Sequence, residues 1–406
     1  MIKIDSKKLA LFGGGKIRSF PMPARKAFGY KEKLELKKML SFYEKKDEDP
    51  KYSGLWEKKF CDLFSKYMGG GYTDAVATGT GAIYIAMKAL ELPKNSEVLI
   101  CPVTCSGALS CITEQGHTPV LIDSSKNNYN TSLEEIKKRI TKKTKLIQIT
   151  HAAGIPVSDI DDIAKYAKKK KIFLLEDCSQ SIGASVCGKK VGTFGDIAAF
   201  STMYRKNLAA NSSSGLVFTK KLKLFKKILA YGDRGKILWN KKLDLRDPKY
   251  SLFPALNWNT DEFSCAIGLS SLRRLNQTNK RRLFFVKNLI SQFNKNNIKS
   301  CEILNFNSGN APFYLPVYFN KKLIKISKKK FTDMLIAEGV PLGWHYGCVV
   351  YDWKWARKYL KDTFKSINAL DYRNNCFHLY LNENYNIKEA VDITRAIKKI
   401  ELFLLS

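Results

Sequence analysis

Short apolar runs bounded by Gly, Pro or Asp alternate along this chain with longer stretches whose apolar positions recur at helical spacing. That alternation marks βαβ units: a strand covered on both faces needs a continuous apolar run, and its crossover needs a one-sided helix. Val98-Leu-Ile-Cys-Pro102, Thr118-Pro-Val-Leu-Ile-Asp123, Lys145-Leu-Ile-Gln-Ile-Thr150 and Ile172-Phe-Leu-Leu-Glu-Asp177 read as buried strands. Ser132 to Thr141 and Asp159 to Lys170 read as helices, the second opening on acidic residues and closing on lysines in accord with the helix dipole. The expected fold class is α/β, with an open, mostly parallel sheet. Ligands of such sheets gather beyond the carboxyl ends of the strands, and Asp177 stands at one of those ends. From Glu262 to Phe293 the spacing predicts one long helix or two joined helices leading to a second unit. That unit begins with the strand-like Pro312-Phe-Tyr-Leu-Pro-Val-Tyr-Phe319 and a helix over Ser327 to Glu338.

Length and composition narrow the class. The 406 residues, 45% hydrophobic, suffice for a large buried core in two or three structural units. No apolar run approaches the roughly 18 residues of a membrane span, and Met1 to Phe12 lacks a secretory core. The expected compartment is the cytoplasm. The ten cysteines are scattered without the spacing of a zinc site, so reduced thiols and no metal are expected. With 70 Lys+Arg against 37 Asp+Glu the formal charge is +33, a field that concentrates anions. The lysines lie in short runs such as Lys168 to Lys171, without a finger, helix-turn-helix or aromatic RNA-binding signature, so no specific nucleic-acid partner is expected.

Two stretches carry candidate chemistry. In Ala198-Ala-Phe-Ser-Thr-Met-Tyr-Arg-Lys-Asn-Leu208 an apolar strand opens into a polar loop holding Lys206, and Leu174-Leu-Glu-Asp-Cys-Ser-Gln180 places Asp177 at a strand exit. A lysine able to form a Schiff base, with a carboxylate for a pyridinium nitrogen, is what pyridoxal phosphate chemistry requires. Glu176 should face the other side of the sheet from Asp177. Ala77-Thr-Gly-Thr-Gly-Ala82 precedes an apolar helical run and would offer backbone amides to a phosphate, although the same turn also suits simple capping.

Taken together, these motifs resemble the DegT/DnrJ/EryC1/StrS family of aminotransferases, whose members transfer an amino group to nucleotide-linked keto sugars or keto cyclitols. Its marks run in order from about Leu11 to Gly268. They are Ser53-Gly54, Gly79-Thr-Gly-Ala82, Pro102-Val-Thr104, Gly116 to Asp123, His151-Ala-Ala-Gly154, Glu176 to Gln180, Gly192 to Asp196, Phe200-Ser201, Lys206-Asn-Leu208 and Asn257. The resemblance implies a type I pyridoxal phosphate fold: a large domain with a mostly parallel seven-stranded sheet plus a small C-terminal α/β domain. The expected division is an N-terminal arm over 1–25, the large domain over 26–285 and the small domain over 286–406. It also implies a homodimer with shared active sites, a keto-sugar acceptor and an amino donor such as glutamate.

By matched position, Lys206 holds the cofactor and moves the proton, Asp177 pairs with the ring nitrogen and Gln180 braces the ring. Gly79, Thr80 and Ser201 hold the phosphate, joined by Asn257 from the partner chain. His345 and Tyr346, in the small-domain loop Gly343-Trp-His-Tyr346, are candidate substrate contacts. His151, Tyr204 and Trp258 read as structural or pocket-wall residues, and Arg205 as a phosphate or surface contact. Three positions depart from the family pattern: Cys105 replaces the aromatic residue that stacks on the cofactor, Asn211-Ser-Ser-Ser-Gly215 replaces a Gly-Glu-Gly-Gly run, and Asn259 replaces an arginine. These departures motivate an alternative, a non-catalytic relative that binds a ligand or partner.

Overall fold

The computed structural model describes residues 8–240 and 242–405; the first seven residues of the expected arm, Lys241 and Ser406 lie outside the described residues. Helices α1 (Tyr30–Glu44) and α2 (Leu55–Tyr67) precede β1 (Tyr72–Val76). Then come α3 (Gly79–Ala89), β2 (Glu97–Ile100), α4 (Ser106–Thr113), β3 (Thr118–Leu121), α5 (Leu133–Lys137), β4 (Thr144–Thr150), α6 (Ile160–Lys169) and β5 (Phe173–Asp177). After a hairpin of β6 (Ser185–Val186) and β7 (Lys189–Lys190) follow β8 (Ile197–Ser201), β9 (Gly215–Thr219) and α7 (Leu222–Gly232). The large sheet has seven strands in the order β1-β9-β8-β5-β4-β2-β3, and β9 alone runs antiparallel to its neighbours.

Side-chain alternation decides what each face of this sheet holds. Val98, Ile100 and Leu175 pack with Ile85, Ala86 and Leu109 of α3 and α4. Leu99, Ile147 and Leu174 pack on the other face with Ile160 and Ile163 of α6. Asp177, two residues beyond Leu175, therefore emerges on the α3–α4 side, and Glu176 turns to the α6 side, as the alternation predicts. There Glu176, fully buried, accepts hydrogen bonds from the backbone N–H groups of Gly192 (2.7 Å), Phe194 (2.8 Å) and Gly195 (2.7 Å). His151 completes the set: its Nδ1 accepts from Val157 N at 3.0 Å, so its Nε2 carries the proton and donates to Glu176 at 3.1 Å. His151, Glu176 and Cys178 bring ligand-type atoms within 4.8 Å of one another. Both Glu176 oxygens and the imidazole lone pair are already committed to these protein hydrogen bonds, so the trio is structural.

The predicted long helix is two, α8 (Glu262–Arg273) and α9 (Leu275–Lys295), interrupted at Arg274, whose backbone leaves the helical region. The second unit has an antiparallel sheet of β10 (Cys301–Glu302), β11 (Tyr314–Phe319), β12 (Leu342–Gly343) and β13 (Cys376–Tyr380), in the order β10-β11-β13-β12. Helices α10 (Lys328–Ala337), α11 (Ile367–Asn375) and α12 (Ile387–Leu405) complete it. Its core joins Phe285 and Leu289 of α9, Val317, Phe377 and Ile397, and it also takes in Leu9 from the start of the chain. The buried pair Lys399–Glu338 (2.8 Å) secures that entry, since Glu338 also accepts from Ala10 N and Ile17 N. No helix among the described residues is long and apolar enough to cross a membrane.

Glu176→Ala strands three backbone donors and His151 in the interior, so it should lower stability by about 3 kcal/mol or more. The midpoint of urea unfolding measures this; a change below about 1 kcal/mol would contradict the assignment of Glu176 as the anchor of residues 192–195.

Candidate active site

The carboxyl ends of three adjacent strands meet in register, Thr150 beside Asp177 beside Ala199. Asp177 is 3% exposed, and its Oδ1 accepts from Ser179 N at 3.0 Å. Two residues past Ala199, Ser201 ends β8 and the chain turns into the loop that carries Lys206, whose N–H donates to Met203 O at 2.8 Å. The Lys206 Nζ lies 4.4 Å from the centre of the Phe313 ring and makes no hydrogen bond or ion pair among the described residues. Burial lowers its pKa below the ordinary lysine value, opposed by the charge of Asp177 and then by Cys105 and Cys348. A half-buried amine without a salt bridge, facing a carboxylate, is set apart from the many solvated lysines of this chain.

Next to this pair lies the start of α3, a candidate cradle for an anion. α3 begins at Gly79, and its N-cap Thr78 takes the N–H of Gly81 at 2.7 Å. The amides of Gly79 and Thr80 in the first turn have no intrahelical acceptor. Gly79 packs against Ser201 so closely that a Cβ there would come within 2.5 Å of the serine Cβ, and a Cβ on Gly107 would come within 2.5 Å of Thr80 Oγ1. Gly79, Thr80 and Ser201 are thus brought together at the same strand ends as Asp177. The serine run docks behind this turn, with Ser213 Oγ donating to Ala77 O at 3.1 Å and Asn211 Nδ2 to Ser264 Oγ at 3.0 Å. Gly215 lies against the Thr78 carbonyl, where a side chain has no room.

Gln180 and Tyr346 also reach the site. The amide of Gln180 accepts from Ala153 N at 2.8 Å and donates to the Tyr346 hydroxyl at 3.2 Å. Cys105, the N-cap of α4, is held beside Asp177 and Lys206; burial pushes its thiol pKa up, as does the Asp177 charge, while Lys206 opposes. Its surface is nonetheless open to solvent. Beyond these groups opens a cavity of about 1000 Å³ lined by Arg25, Phe28, Tyr204, Arg205, Phe313 and Tyr346 among others. Tyr204 is a wall residue, as the sequence predicts, and Arg205, expected as a phosphate or surface contact, lines the same cavity.

Two candidates stand apart from this cluster. His345 is exposed and turned to a separate concavity with Lys328, Lys329 and Trp344, where its Nε2 lies 3.2 Å from Arg373. It follows β12, and neighbouring residues of a strand-like segment face opposite ways, so Tyr346 and His345 do not share a pocket. Asn257 is also exposed, its Oδ1 accepting from the backbone N–H (3.1 Å) and side-chain amide (2.8 Å) of Asn259, the residue that replaces the family's arginine. Nearby, Trp258 packs on Gly81 and Tyr84. Sequence reasoning missed Arg25, Phe28, Phe313 and Cys348. Only the alternation in Pro312 to Phe319 carried any signal for Phe313; the others come from distant segments.

The sequence profile of the DegT/DnrJ/EryC1/StrS aminotransferase family matches residues 42–398. The chain is 30% identical over 247 residues to GDP-perosamine synthase of Escherichia coli O157:H7, covering 61% of this chain and 64% of that protein. It is 32% identical over 219 residues to dTDP-3-amino-3,6-dideoxy-alpha-D-galactopyranose transaminase of Aneurinibacillus thermoaerophilus, covering 54% and 58%. The matches thus span about three fifths of these relatives. The X-ray structure of the aminotransferase from Psychrobacter cryohalolentis superposes with a TM-score of 0.86 at 23% identity, covering 95% of this chain and all of that one. The fold is that of the pyridoxal phosphate aminotransferases, and the chain belongs to the DegT/DnrJ/EryC1/StrS aminotransferase family.

Proposed function

We propose that this protein is a pyridoxal phosphate-dependent aminotransferase that passes an amino group from a donor such as glutamate to a keto group on a nucleotide-linked sugar. The observation that carries the reading is the Lys206 amine, without a salt bridge among the described residues, held over Phe313 and opposite Asp177, beside the cradle of Gly79, Thr80 and Ser201. Those residues fit the cofactor. The cradle suits its phosphate, the carboxylate its ring nitrogen and the amine its aldehyde. When bound, pyridoxal phosphate supplies the electron sink for a carbanion at the carbon that loses or gains the amine.

The chain supplies the rest. Gly79 and Thr80 amides and the Ser201 hydroxyl would hold the phosphate end. Asp177, fixed by Ser179 N, would hold the ring nitrogen and favour its protonated form. Gln180, held by Ala153 N and Tyr346, would brace the ring. Nζ of Lys206, neutral more readily because burial lowers its pKa, takes the α-proton of the amino donor and returns a proton to the acceptor carbon. Arg205 and Lys26 at the cavity wall, with the overall positive field, favour an acceptor that carries phosphate.

A homodimer fits Asn257, which lies exposed on a strap with the exposed Leu252 and Leu256 and so is available to a second copy. The cytoplasm suits a chain whose ten cysteines are all free.

Lys206→Ala should abolish the visible absorbance of the bound cofactor and its change on adding glutamate, and lower amino transfer by at least ~10²-fold. Turnover within a few-fold of wild type would remove Lys206 from the chemistry, and a wild-type protein that never takes up the cofactor would favour the non-catalytic alternative. Gly79→Ala forces Ser201 from the cradle and should weaken cofactor binding about tenfold, ~1.4 kcal/mol, with the fold intact. Titration of the cofactor-free protein checks this; unchanged affinity would place the phosphate elsewhere.

A further inference from the structure

The loop that presents Lys206 is held from behind by groups drawn from three distant parts of the chain. Arg25 Nη1 donates to the carbonyl of Tyr204 at 2.6 Å, and its Nη2 donates to the carbonyl of Lys206 itself. The remaining Arg25 donor, Nε, reaches Glu383 Oε1 at 3.3 Å. The other oxygen of Glu383 accepts from Arg282 Nε (3.2 Å) and Nη2 (2.8 Å). Arg282 Nη1 then donates to Asn207 Oδ1 at 2.8 Å and to Pro312 O at 3.1 Å. One carboxylate thus links two guanidinium groups, and those two grip residue 206, residue 207 and the residue before Phe313.

We infer that Arg25 and Glu383 are positioning residues for Lys206: the guanidinium seated on the Tyr204 and Lys206 carbonyls makes docking of the N-terminal segment a condition for orienting the reacting amine. The inference rests on the reading of Lys206 as that amine. The segment is docked by further bonds, Asn382 Nδ2 to Pro23 O at 2.8 Å and Asn384 Nδ2 to Ala24 O at 2.9 Å. Arg25, Lys26 and Phe28 of this segment also wall the cavity, so the same stretch that closes the pocket holds the lysine turn.

The chemistry requires arginine. A planar fork can meet two carbonyls and a carboxylate at once, whereas an ammonium is a point donor without that geometry. Arg282 is 1% exposed, and burial pulls its pKa down to about 10 against the opposing pull of Glu383, which still leaves it charged at neutral pH. Burial raises the pKa of Glu383, but Arg282 and Arg25 overcome this and hold it below the usual carboxylate range. The network therefore stays fully ionised near neutrality and acts as a fixed clamp.

A simple staple between segments and a positioning device differ in what they do to the amine. The groups facing Lys206 are Asp177 from β5, Cys105 from the start of α4, Cys348 from the loop after β12 and the Phe313 ring from the stretch before β11. Loosening the turn leaves these in place but admits water around Nζ. Hydration favours the cation, so the amine's midpoint should rise toward that of an ordinary lysine.

The test acetylates the full-length, cofactor-free protein across a pH series and quantifies the Lys206 peptide by mass spectrometry. Wild type should titrate below the surface lysines of the same digest. Arg25→Ala and Glu383→Gln should move the Lys206 midpoint upward in protein that remains folded, with the other lysines unchanged, and Arg25→Lys should fall between. Identical Lys206 midpoints in folded Arg25→Ala, Glu383→Gln and wild type would overturn the clamp. So would an unfolded Arg25→Ala accompanied by unmoved Arg25→Lys and Glu383→Gln. A wild-type Lys206 that titrates with the surface lysines would instead overturn the reading of this amine as the reacting group, a separate failure.

Discussion

The structure depends on keeping one lysine amine half out of water without giving it a salt bridge. Such a group is unfavourable in isolation, since desolvation penalises its charged form. The surrounding fold tolerates it because the loop backbone is over-determined: Lys206 N bonds Met203 O, its carbonyl meets Arg25, and Asn207 is bonded by Arg282. The stability lost at the amine is offset by hydrogen bonds placed where they do not touch it. The result is an amine held in the state that the proposed reaction requires.

The remaining parts of the site follow from strand geometry. Adjacent residues of β5 face opposite sides, so one dipeptide supplies both a structural anchor and a site carboxylate: Glu176 binds the 192–195 backbone and Asp177 faces Lys206. The cradle arises where the start of α3 packs against the end of β8, with Gly79 required by the close approach of Ser201. The Asn211 to Gly215 run, although it departs from the family pattern, docks behind that cradle. Cys105, where the family pattern has an aromatic residue, sets a thiol beside Asp177 and Lys206.

The central strands were legible because buried parallel strands must be continuously apolar, and four of them lie within two residues of their expected ends. Helix α5 is shorter than its pattern, since the chain turns after Lys137 and Arg139 Nε bonds back to Leu121 O. α1 escaped detection because its exposed face carries Tyr30, Leu34 and Leu40, which blurs the helical stripe. Asp177 and Ser201 were legible because each ends a strand, Gly79 and Thr80 because they open a helix, and Lys206 because it lies in the polar loop that follows an apolar strand. Arg25, Arg282, Glu383 and Phe313 were not, because nothing local in a sequence records that an arginine near the start will meet a carbonyl far along the chain. His345 and Tyr346 could not be separated without knowing which way the loop after β12 turns.

The most direct test of the account is the site of covalent attachment. Borohydride reduction of the cofactor-loaded protein, followed by peptide mass spectrometry, should place a single phosphopyridoxyl group on the peptide containing Lys206. Attachment at another lysine, or spread over many, would contradict the claim that this amine alone faces the cofactor.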